Sequence, residues 1–263
     1  GSQKFWARVG ESIATALGGV IAGQLGYSWV FFLASVPAFI NFMIAISWEK
    51  IKEEKQKAGL KNSLRHAKQS FCELCHKKNL RRITINIALF TGVLAALNKF
   101  IQSYMKNVGI PIEWFGFIYA ASLGVTALAV KYSYLVEKRF GKRKTINTLT
   151  LFAMIPALII GLGYRSMFGV FLFFIIIIIE NIRSPIANNE FHTNVVSAQR
   201  ATLGSILSLS KSAGKIIILP FAGYLAEMYS LEQAVLVMGI LLLVNASLFY
   251  VRKSSTASHK AKH

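Results

Sequence analysis

The 37 residues from Ser12 to Trp48 contain no Asp, Glu, Lys or Arg, and most of them are apolar or small. A hydrocarbon layer ~30 Å thick is crossed by roughly 20 helical residues, so this run is long enough for two spans joined by a tight turn. Charge is also absent from Thr145 to Tyr164 and from Gln233 to Val251. Hydrophobic residues make up 54% of the chain and charged residues 16%, where a soluble domain carries about 25% charge. The pattern predicts helices over 5–24, 28–48, 83–105, 113–136, 145–163, 167–190, 200–225 and 232–251. None shows the period-two alternation of a barrel strand, and in lipid the backbone must be hydrogen-bonded internally. The fold class is therefore an all-α membrane protein with about eight transmembrane helices. Pro37, Pro156, Pro185 and Pro220 fall inside these spans, where neighbouring groups can satisfy the freed carbonyls.

The net charge of +19 would suit a nucleic-acid binder if it were spread over a soluble core. Instead it lies between apolar blocks. With both termini cytoplasmic, the inside segments 1–10, 49–82, 137–144, 191–200 and 252–263 hold 23 Lys or Arg, and the outside turns hold only Lys106 and Arg165. That asymmetry follows the positive-inside rule and excludes nucleic acid as the natural partner; the partner is the lipid bilayer. The first apolar stretch follows Lys4, Arg8 and Glu11 and runs on as a full span, so it reads as a membrane helix rather than a cleaved leader. The basic segment 49–82 separates two helices from six, and residues 60–80 within it have the pattern of an interfacial amphipathic helix.

Cys72-Glu73-Leu74-Cys75-His76 has the C-x-x-C-H spacing of covalent haem attachment. It sits in the most basic loop, on the side expected to be reducing, where neither haem attachment nor a stable disulfide is favoured. Zinc would need a fourth ligand, for which His66 is the near candidate. No cofactor and no metal site are expected.

Five basic residues fall inside the spans, and a charge at the membrane centre costs roughly 2.5–3.5 kcal/mol even on the lenient insertion scale. Lys99 and Lys131 are near enough to span ends to snorkel. Glu180, Arg183, Lys211 and Lys215 are deeper, and the i, i+3 and i, i+4 spacings put each pair on one helix face. Asn181, Ser184, Asn188 and Asn189 extend a polar stripe past the isoleucine run at 175–179, and Pro185 marks a candidate bend. These groups imply a polar interior or cavity. Gly10, Gly18, Gly19 and Gly23 lie in small-residue rows of the first span, which predicts close helix packing.

The glycine-rich first span with Gly26-Tyr27-Ser28-Trp29, the turn Arg139-Phe140-Gly141-Lys142-Arg143-Lys144, and the later Pro185, Asn188 and Gln199-Arg200-Ala201-Thr202 resemble a major facilitator superfamily transporter. The likeness is greatest to the drug-proton antiporter branch, from its fifth transmembrane helix to its twelfth. In the turn, the family's acidic position is Lys138, with Glu137 one residue early.

The resemblance implies a partial major facilitator fold with a complete C-terminal six-helix half. Residues 1–48 would supply the last two helices of the N-terminal half, 49–82 the linker, 83–251 the C-terminal half and 252–263 a cytoplasmic tail. Four further N-terminal transporter helices would belong to the whole fold, in a plasma or bacterial inner membrane. It also implies secondary active transport of a small organic solute, with proton-coupled efflux by alternating access. Lys99, Glu180 and Arg183 would face the substrate path, with Asn188, Lys211 and Lys215 as further cavity or coupling candidates. Arg139, Gly141, Lys142, Arg143 and Lys144 would form a gating turn. A channel-like or non-transporting truncated membrane partner is the alternative. A membrane-embedded enzyme is the weaker one, because His66, His76, His192, His259 and His263 all lie in or beside loops.

Overall fold

A computed structural model describes residues 2–47, 72, 74, 76–163, 165–195 and 199–251. They form α1 (Ser2–Leu25), α2 (Tyr27–Ser47), α3 (Lys78–Asn107), α4 (Ile112–Phe140), α5 (Lys142–Gly161), α6 (Met167–Thr193), α7 (Arg200–Met228) and α8 (Leu231–Leu248). The chain is thus an all-α membrane protein. Seven of these helices, α2 to α8, are long and apolar enough to cross a membrane. The 24-residue α1 is not among them, since its first half carries Lys4, Arg8 and Glu11. The boundaries fall within a few residues of the predicted ones, except that α3 starts at Lys78 rather than 83 and α4 runs on to Phe140. Most of the 60–80 segment lies outside the described residues.

The six helices α3 to α8 pack on one another, α1 lies along α4, and α2 rests on α1 with none of its own residues buried. The main apolar core joins Phe90, Leu97 and Ile101 of α3 to Ala153 and Ala157 of α5, Phe173 of α6 and Met238 of α8. A second cluster around Leu80, Ile83, Ile186, Phe191 and Leu207 fills the basic end of the bundle. Helices in lipid gain little from hydrophobic attraction to each other, so close backbone approach at small residues matters more. The α1–α4 crossing is built in this way. A Cβ placed on Gly116 would lie 2.9 Å from the Gly19 Cα and 3.0 Å from the Thr15 carbonyl oxygen. On the other side of the bundle, Gly92 of α3 meets Gly214 of α7, and a Cβ on Gly92 would come to 2.6 Å from the Gly214 carbonyl.

Of the four glycines predicted to pack, Gly19 sits at the crossing and Gly23 stands against Glu113. At Gly10 and Gly18, no atom of the described residues lies within 4 Å of an added Cβ. The row places them on neighbouring faces of α1, and only one face meets α4. Gly116→Leu should accordingly prise α1 from α4 at a cost of roughly 1–3 kcal/mol, the usual range for overpacking. Gly18→Ala should leave stability unchanged or slightly raised, because alanine is the better helix former. Thermal melting of the two variants in mild detergent measures the contrast; equal melting would mean that the crossing does not hold α1 in place.

All four interior prolines are accommodated within continuous helices, including Pro185 in α6. At the end of the bundle away from the basic segments, Arg165 donates from Nε to Glu232 Oε1 at 2.7 Å and from a terminal nitrogen to Oε2 at 3.3 Å. This hydrogen bond raises the Arg165 pKa above its ordinary value. Beside it, the Tyr104 hydroxyl donates to the Ser166 carbonyl and accepts from the Ser166 amide. Together these contacts tie the α5–α6 turn to α3 and α8.

Candidate functional site

A cavity of about 690 Å³ is lined by residues of α1, α3, α4 and α6. Its polar lining comes from Glu11 of α1, Asn98 of α3, Tyr119 of α4, and Glu180, Asn181 and Ser184 of α6. Leu123, Val130, Ile177 and Pro185 supply apolar wall. Glu180 is half-buried, and the Asn98 side-chain amide donates to its Oε2 at 2.7 Å. Asn181 turns its own amide to the Ile177 carbonyl at 2.9 Å, one turn back along α6. The Tyr119 ring is braced edge-on by Phe174, with centroids 6.4 Å apart.

Arg183, expected to face this space beside Glu180, points the other way. It is only 1% exposed and lies over the Phe90 ring, 3.7 Å from its centroid. Its Nε donates to Thr150 Oγ1 at 2.8 Å and to the Ile146 carbonyl at 3.3 Å, and a terminal nitrogen donates to Asn86 Oδ1. Asn86 in turn donates to the Phe249 carbonyl at 3.1 Å, and Asn245 donates to the Asn86 carbonyl at 3.1 Å. One turn along α5 from Thr150, Asn147 pairs both ways with the Val251 backbone. Arg183 is therefore the hub of a polar network linking α3, α5 and α6, extended by asparagines to α8.

The remaining interior candidates also disperse. Lys211 of α7 donates to Asn188 Oδ1 of α6 at 2.7 Å, whereas Lys215 is exposed on α7. Lys99 is exposed on α3 and is not among the residues that line this cavity. It is adjacent to Asn98, and one step along a helix turns a side chain by about 100°.

At the basic end, Gly141 joins α4 to α5 with a φ of +77°, a conformation suited to glycine. Arg139 is exposed and lies over Phe140, Lys144 is exposed, and Lys142 stands 3.8 Å from Glu137. Arg143 reaches the end of α6, where its Nε bonds to Glu190 Oε1 at 2.5 Å. Glu190 is buried and also accepts from Asn194. Arg143 thus takes its carboxylate from α6, while Lys142 stands beside the local Glu137.

Glu11, Asn98, Tyr119, Asn86 and Glu190 are the residues that sequence reasoning did not single out for these roles. Asn86 and Asn98 are amides that bracket the apolar and small-residue stretch 87–97 of α3, and a polar side chain at such a place in a span is the signal that marks them. Among the described residues, no three His, Cys, Asp or Glu side chains gather as a metal site. His76 Nδ1 lies 2.8 Å from the Cys72 carbonyl oxygen, while Cys75 and His66 lie outside the described residues.

A bundle of membrane helices around a polar, partly charged cavity defines a membrane protein of the transport class. The chain belongs to the Major Facilitator Superfamily, whose sequence profile it matches over residues 5–187. No curated protein matches it.

Proposed function

We propose that this protein moves a small organic solute across the membrane by secondary active transport, with proton exchange driving efflux through alternating access. The observation that carries this reading is Glu180, a carboxylate half-buried on the wall of an interior cavity and held by Asn98. Such a group can exchange a proton with whichever side the cavity faces, and so bias the two conformations differently. In this reading α3 to α8 form the C-terminal six-helix half, and α1 and α2 are the last two helices of the N-terminal half. The packing of α3 to α8 on one another, with α1 set against α4, supports that division. The turn at 139–144 acts as a gate whose closed form is secured by Arg143 and Glu190.

Flux through the purified chain in sealed vesicles tests the proposal. Solute accumulation against its gradient, driven by an imposed pH difference and abolished by a protonophore, is the expected result. Passive ion conductance would assign a channel instead, and absence of both would reject transport by this chain.

The basic end is proposed to be cytoplasmic, as its excess of Lys and Arg requires. Cys72, which is exposed, reports on it. A membrane-impermeant maleimide should leave the protein unlabelled in intact cells and label it after permeabilisation. Labelling in sealed cells would invert the orientation.

A further inference from the structure

The chain leaves α8 through a set of contacts that the transport reading does not use. Past Leu248 it turns into the basic end of the bundle, where Val251 is buried with Leu80, Ile83 and Ile146 in the second apolar cluster. Side chains hold this exit in place. The Val251 amide donates to Asn147 Oδ1 at 3.1 Å, and the Asn147 side-chain amide donates to the Val251 carbonyl at 3.2 Å. The Phe249 carbonyl accepts from Asn86 at 3.1 Å. Both clamps adjoin Arg183, since Asn86 Oδ1 accepts from it and so does the carbonyl of Ile146, the neighbour of Asn147.

Two observations mark this as a releasable contact rather than a fixed end. One buried side chain and these three hydrogen bonds hold it, few enough to open while the helices stay packed. Asn245 supplies the second. It is 1% exposed, and its amide nitrogen donates to the Asn86 carbonyl, yet its Oδ1 meets no donor among the described residues. A buried acceptor left unmet is costly, and lifting the exit would admit water to it. The latched arrangement therefore carries a cost that the released one sheds.

We propose that residues 249–251 are a strap that latches α8 onto α3 and α5 beside Arg183, and that the strap opens locally, coupled to the Arg183 network. Latched, it holds Asn86 and Asn147 where the acceptors of Arg183 stay in register. Released, it loosens them and frees the basic end of α8. A protein that passes between two conformations needs elements with two arrangements, and this one touches three helices at once. Release is measured in the resting protein and requires no transported solute.

Trypsin reads the strap, because Arg252 and Lys253 follow it directly and the protease must take the residues before its cut in extended form. The rate of cleavage after Arg252, followed by intact mass on the purified full chain in lipid nanodiscs, tracks the population of the open form when opening is fast. Wild-type protein should be cut slowly, at a rate that mild denaturant leaves unchanged. N147A and V251A should each be cut at least about tenfold faster. V251A leaves every helical residue in place, so it carries the test even where N147A yields little protein. T150V removes an acceptor of Arg183 at nearly constant volume, and it should speed the same cut by about threefold or more although Thr150 lies outside the strap. The double variant V251A/T150V should fall short of the product of the two single effects. Equal rates in wild type and V251A would overturn the strap. A T150V rate equal to wild type, or single effects that multiply in the double variant, would overturn the coupling to Arg183. A wild-type rate that climbs only with global unfolding would overturn local release.

Discussion

Arg183→Ala is expected to remove most of the folded protein, at a cost of about 3–5 kcal/mol. Three effects add. The truncation empties the volume over Phe90, leaves Asn86 Oδ1 without its donor, and unlinks α6 from Thr150 and the Ile146 carbonyl on α5. Opposing them is the relief of a desolvated charge, since the hydrogen bonds of this guanidinium go to neutral groups rather than to a carboxylate. Arg183→Met separates the terms because it keeps much of the volume and discards the charge. It should therefore recover part of the loss. Arg183→Lys should recover less than its charge suggests, because a point ammonium cannot lie flat over Phe90 while reaching both Asn86 and Thr150. The yield of monodisperse protein and its melting temperature in mild detergent measure the series. Wild-type stability in Arg183→Ala would show that the network does not hold α3, α5 and α6 together.

The second large effect is functional. Glu180→Gln should leave the folded protein near wild-type abundance yet remove the dependence of flux on the pH gradient. The amide oxygen of glutamine can still accept from Asn98, so the contact that positions the side chain survives while titration does not. Glu180→Asp retains titration with a shorter reach and should preserve part of the coupling. An ion pair with Arg183 would have made Glu180→Gln a folding defect that Arg183→Gln rescues. With Arg183 bonded to Asn86, Thr150 and Ile146, no such rescue is expected, and the double variant should be as unstable as Arg183→Gln alone. Proton-driven accumulation by abundant Glu180→Gln protein would remove Glu180 from the coupling role.

The comparison of Glu180 with Arg183 shows where sequence reading stops. Spacing of three places two side chains about 60° apart around a helix, which is close enough to count as one face when only one neighbour is present. Helix α6 has neighbours on several sides. Sixty degrees is then sufficient to turn Glu180 toward α1 and α4 and Arg183 between α3 and α5. The same reasoning covers Gly18 and Gly19, adjacent in sequence, of which only Gly19 meets α4.

What the sequence determined by itself is the membrane class, the number and order of the long helices, and the concentration of basic charge at alternate turns. Each follows from composition within a window of about 20 residues, because lipid penalises every exposed charge and every unbonded backbone group locally. Only the tertiary structure decided which glycines touch, that Glu190 rather than a residue of the turn receives Arg143, and that Glu11 joins Glu180 in one cavity. Those pairings link positions 47 and 169 residues apart in the chain. They depend on the rotation of each helix about its own axis, and that rotation is set by packing between helices, which no local hydropathy pattern encodes.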